Sequence, residues 1–151
     1  MAQTPTHIFR VDLVHQKKIH RDIEIASDAS LHDLAAAIVA AFDFSFDHAF
    51  GFYSGTTQAT LLRAQPKYEL FADMDGLDSD ALSVKRTTVA TAFPQPPHGM
   101  TFLYDYGDEW LFRVTLTGLG QKAPRTRYPK VLAKQGASLK QYPDPDDLDE
   151  E

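Results

Sequence analysis

Apolar and polar residues alternate over residues 7–14, with Phe9, Val11 and Leu13 on one side and Arg10 and Asp12 on the other. That two-residue period predicts a strand with one buried face. A polar turn, His15-Gln16-Lys17-Lys18, separates it from a second alternating run over residues 19–26, where Ile19, Ile23 and Ile25 share a side. Arg21 has the parity of those isoleucines. A guanidinium on that face must find a partner or sit at a wet rim over its own stem. A bidentate bond to Asp105 or Asp108 would tie this hairpin to a later one.

The period then changes. Leu31, Leu34, Ala35, Ile38, Val39 and Phe42 recur at helical spacing behind Ser30, a good N-cap, with Asp33 completing an imperfect capping box. The pattern predicts an amphipathic helix over 31–42. A hairpin followed by a helix is a β-grasp-like ββα start, so the expected class is a single α+β domain with a mixed or antiparallel sheet. Residues 42–53 are rich in Phe, and an extended chain there puts Phe46, His48, Phe50 and Phe52 on one side. A loop over 54–66, a short strand over 68–71 and a short helix capped by Thr87 or Thr88 and ended near Phe93 by prolines follow.

Alternation returns over 102–106 and 110–114, with Phe102, Tyr104 and Tyr106 on one face and Trp110, Phe112 and Val114 facing them. A three-residue loop at Gly107-Asp108-Glu109 sets Tyr106 opposite Trp110 and keeps the rings together; a two-residue loop splits them. The preferred hairpin, continuing to residue 117, turns Asp105 away from the rings and puts Asp108 and Glu109 at its tip.

The string Tyr104-Asp105-Tyr106-Gly107-Asp108-Glu109-Trp110 resembles the signature hairpin of the plasmid pRiA4b ORF-3-like family, written Y-x-Y-D-F-G-D-x-W. Ile19-His20-Arg21-Asp22-Ile23 is similar to its I-W-R-R-I strand, and residues 42–48 to its F-x-W-x-x-x-H segment. Tyr128-Pro129-Lys130-Val131, Gly136 and Gln141-Tyr142-Pro143 resemble its closing Y-P-R-V…G…P-Q-Y. The departures are His20 and Phe44, where the family favours Trp. The resemblance implies a fold and a mobile-element context, since some members are labelled passenger proteins. It implies no activity and transfers no catalytic residue.

Charge is segregated. Six of the 21 acids lie in residues 144–151, so residues 1–143 carry 15 acids against 15 bases. Between Glu109 and Asp144 there are seven bases and no acid. The expected organisation is an α+β body over 1–120, a basic extended arm over 121–143 packed on it, and a disordered acidic tail over 144–151. The absence of cysteine excludes disulfides, Cys-based zinc sites and a thiol nucleophile. With no long apolar run and no leader-like start, the default expectation is a cytoplasmic protein with no membrane contact. No metal or cofactor is expected: Asp73 to Asp80 lacks the glycine placement and closing Glu of a calcium loop.

Three functions remain open. The first is a non-catalytic interaction module with a protein partner, using Tyr104, Tyr106, Trp110 and Arg21; it needs Tyr106 and Trp110 exposed as one patch. The second is a metal-assisted hydrolase built on Asp105, Asp108, Glu109 and His48, for which magnesium or manganese suits an oxygen-rich site. It needs His48 to approach the turn carboxylates. The third is nucleic-acid association through the basic arm, disfavoured by the acidic pI of about 5.4. Whether the protein is an enzyme stays undecided at this level.

Overall fold

The two N-terminal alternating runs form β1 (Pro5–Leu13) and β2 (Gln16–Ala26), paired antiparallel with Phe9 opposite Ile23 and Val11 opposite Arg21. They belong to a computed structural model that describes residues 4–55, 66–70, 81–106 and 109–137. Next come α1 (Leu31–Ala41), β3 (Phe50–Tyr53), β4 (Lys67–Glu69), β5 (Leu82–Ser83), α2 (Val89–Ala92), β6 (His98–Tyr104), β7 (Trp110–Gln121) and β8 (Lys130–Gln135). All eight strands join one sheet in the order β5-β4-β3-β6-β7-β1-β2-β8. Only β4 and β5 run parallel among its pairings.

This overturns the α+β, β-grasp-like expectation. The hairpin–helix start is present, but the described helices are 11 and four residues long against an eight-stranded sheet, so the fold is predominantly β. A ββα opening is compatible with many sheets. What decides is the later strands: β7 inserts beside β1, and β8, lying within the segment expected as an arm, extends the sheet beyond β2.

Helix α1 begins as its residues dictate. The Ser30 hydroxyl accepts from Asp33 N–H at 3.0 Å while the Asp33 carboxylate accepts from Ser30 N–H, a complete capping box. It ends in a Schellman turn: Phe44 N–H donates to Val39 C=O at 2.9 Å and Asp43 N–H to Ala40 C=O at 3.0 Å. Asp43 holds the left-handed conformation, φ 61°, that the motif usually gives to glycine. One face of the sheet packs on α1 and α2, burying Phe9, Ile23, Phe52, Phe102, Phe112 and their neighbours completely. A smaller cluster of Tyr53, Leu103 and Leu111 lies on the reverse face.

Candidate functional site

The β6–β7 hairpin has the expected parity but a different register. Tyr104 pairs with Trp110, Phe102 with Phe112 and Met100 with Val114. The connection is therefore residues 105–109, two longer than the three-residue loop expected, and Tyr106 leaves the aromatic face. Asp105 N–H donates to Ala49 C=O at 2.9 Å, extending the β3–β6 ladder by one bond, and Asp105 C=O accepts from Glu109 N–H at 2.6 Å. Asp105 and Glu109 both have positive φ, 67° and 54°. Left-handed backbone at a non-glycine residue is strained, and it re-aims the side chain out of the strand alternation.

The re-aimed Asp105 is buried, with its Oδ2 3.4 Å from His48 Nε2. Asp47 Oδ1 lies 3.4 Å from the same nitrogen. His48 is thus held between two carboxylates whenever its ring is protonated. Tyr104 fixes the segment that carries it. The buried hydroxyl accepts from Asp47 N–H at 2.7 Å and His48 N–H at 3.2 Å and donates to Ser45 C=O. Burial raises the Tyr104 phenol's pKa, which keeps it protonated and able to donate. Its ring also meets the His48 imidazole edge-on at 5.9 Å.

Beside this cluster is an open depression of about 530 Å³ lined by His32, Phe46, Asp47, His48, Phe50 and Leu70. The His32 ring packs edge-on against Phe46 at 5.3 Å, and Phe46 is 39% exposed. The site draws together the first turn of α1, the irregular segment before β3 and the mouth of the β6–β7 hairpin. His48 and Asp105 were legible as candidates; Asp47, His32, Phe46 and Phe50 were not. The adjacency of Asp47 and His48 was a signal in plain view, but His32 lies on a helix whose alignment with the hairpin mouth no local pattern encodes.

The remaining candidates separate. Arg21 is buried, but its Nε donates to Ala41 C=O at 3.0 Å and its Nη1 to His20 and Gln135 C=O at 2.9 and 3.0 Å. Its guanidinium also lies over the Phe42 ring, 4.9 Å from the centroid. It serves the C-terminal carbonyls of α1 and the β2–β8 edge, where a cation also meets the helix dipole favourably, instead of the Asp105 carboxylate. Trp110 packs against the main core at Phe44, 4.8 Å away, its buried indole N–H without an acceptor among the described residues. Tyr106 turns to the reverse face and bonds Tyr53 at 2.7 Å. Tyr53 donates to the Glu69 carboxylate, so the other bond must have Tyr106 as donor. Burial pushes the Tyr53 phenol up, and burial first of all pushes Tyr106 up to about 12. The single Tyr106–Trp110 patch does not form, because the two rings occupy opposite sides of the sheet. Glu109 is exposed at the loop's end. Asp108, the acidic turn over 73–80 and the tail over 144–151 lie outside the described residues.

Among the described residues no group of three or more His, Asp and Glu has the spacing to hold a metal ion, and no helix is long and apolar enough to cross a membrane. Residues 6–142 match the family described as Plasmid pRiA4b ORF-3-like protein. The crystal structure of a protein of unknown function from Methanosarcina mazei Go1 superposes with a TM-score of 0.71 at 20% identity, covering 91% of this chain and 73% of that one. That likeness concerns the fold. No curated protein matches the chain.

Proposed function

We propose that this chain, which belongs to the plasmid pRiA4b ORF-3-like family, is a non-catalytic binding module that takes a small cationic group in the depression beside His48. The observation that carries this is the lining: the exposed ring of Phe46, backed by the buried Phe50, beside the half-exposed carboxylate of Asp47. Aromatic faces attract ammonium and guanidinium groups by about 0.5–2 kcal/mol, and a carboxylate at the rim fixes their orientation. The volume lies within the roughly 300–1,000 Å³ of small-molecule sites. Asp105 and Tyr104 act as positioning residues, holding the wall formed by Asp47 and His48.

The test is an amide-resolved NMR titration of the full chain with agmatine and n-butylammonium, with n-butyrate as control. The cations should shift the amides of Asp47, His48 and Phe50 saturably, and Phe46→Ala and Asp47→Asn should each remove most of the response. No shift, or equal movement with butyrate, would reject the site.

Metal-assisted hydrolysis stays as a second reading because His48 approaches Asp105, the pairing a general base needs. Saturable magnesium or manganese binding by calorimetry, lost in Asp105→Asn, would favour it over simple cation capture.

A further inference from the structure

On the far side of α1 two adjoining depressions, of about 490 and 180 Å³, run between the helix and the segment leading into β8. Both are bounded by Ala37, Ala40 and Pro129. The floor is apolar, from Ile23 and Ile25 of β2, and the rim is basic, from Lys122, Lys130 and Lys134. Arg125 and Arg127 lie in the exposed loop between Lys122 and Lys130. Among the described residues none of these five cations has a carboxylate within ion-pair distance. Among the described residues Asp33 is the one acid on the rim, and its carboxylate is engaged by the Ser30 N–H of the capping box.

We infer that this groove is the docking site for the chain's own C-terminal segment, with Leu139 and Tyr142 on the apolar floor and the acids of residues 144–151 on the basic rim. Charge complementarity is the first argument: six acids follow a stretch whose rim cations have no carboxylate partner among the described residues. Reach is the second. The described chain ends just past β8, at the end of the groove nearest Lys134, where Gly136 turns with φ 81° against Ile19. Residues 138–143 span about 20 Å when extended, the length of the six-residue β8, and the whole of 138–151 spans about 45 Å. Running back antiparallel to β8, the segment brings its acids to Lys130, Lys122 and the two arginines.

The chain has no cysteine, so Asp149→Cys in the full-length protein carries a single nitroxide label. At low salt, the amide peaks of Ala36, Ala37, Ala40 and Lys130 should lose at least half their intensity by paramagnetic broadening, while those of Leu82 and Ser83 at the opposite sheet edge stay sharp. Raising sodium chloride to about 0.5 M, or introducing Lys130→Glu with Lys134→Glu, should restore most of the lost intensity. No selective broadening, or broadening untouched by salt and charge reversal, would overturn the inference. So would broadening of unlabelled, isotope-enriched chain by added labelled chain, since it would assign the groove to a second copy.

Discussion

Replacing Tyr104 by Phe removes one oxygen and, with it, the tie between the central hairpin and the segment that carries Asp47 and His48. The hydroxyl accepts from two amides and donates to Ser45 C=O, so three bonds are lost together. At a net ~0.5–1.5 kcal/mol each the sum is about 1.5–4.5 kcal/mol. Ser45 and Asp47 are exposed, and the freed groups can bind water, which moves the expectation to about 1.5–3 kcal/mol. The ring contacts with Phe102 and His48 survive the change. For a chain of this length each kcal/mol lowers Tm by roughly 2–4 °C, so a fall of about 3–12 °C is expected. Urea unfolding followed by the fluorescence of the only Trp supplies the free energy, and hydrogen exchange supplies its location. The Asp47 and His48 amides should lose protection before the β6 amides do. A loss under 0.5 kcal/mol with those amides still protected would refute the role assigned to the hydroxyl. Tyr128→Phe, which removes a single exposed bond to Ala123 N–H, is the control and should change stability little.

Three further outcomes follow from the same geometry. Arg21→Met keeps the bulk but leaves the Ala41, His20 and Gln135 carbonyls without their donor; it should cost about 2–4 kcal/mol by urea unfolding, with Arg21→Lys recovering less than half. Asp43→Gly relieves a left-handed residue at the end of α1 and should stabilise the fold by about 1 kcal/mol, read as a higher urea midpoint at unchanged slope. The raised phenols of Tyr53 and Tyr106 release protons in the unfolded chain first, near pH 10. The stability they contribute is complete below that pH and is lost as pH rises through about 12, the folded value for Tyr106. Tyr106→Phe should flatten this alkaline loss in a pH series of urea melts.

Much of this framework was visible in residue order, and the exceptions have physical causes. The β1, β2 and β6–β7 strands and α1 each bury one face, which is what alternation and helical spacing record. Loop length is different: connections of three and five residues leave the same rings facing each other, so parity could not tell Tyr106 opposite Trp110 from Tyr104 opposite Trp110. The left-handed conformations of Asp105 and Glu109 decided it. All of β8 is exposed, so its six residues carry no buried-face signature, and a strand read as an arm. Arg21 had a visible anomaly without a visible answer, because its partners are backbone carbonyls and carry no letter of their own. The site was half legible for the same reason: His48 and Asp105 stood out as residue types, whereas their approach depends on a non-glycine residue held at positive φ.

The imidazole nitrogen–proton correlation spectrum of His48, compared between the native chain and Asp105→Asn, tests the proposed site most directly. If the hairpin mouth holds Asp105 against His48 Nε2, that nitrogen and its neighbouring ring proton should shift in Asp105→Asn and stay in place in Asp22→Asn, whose carboxylate is engaged by Arg10 elsewhere on the sheet. A His48 spectrum unchanged by Asp105→Asn would contradict the site.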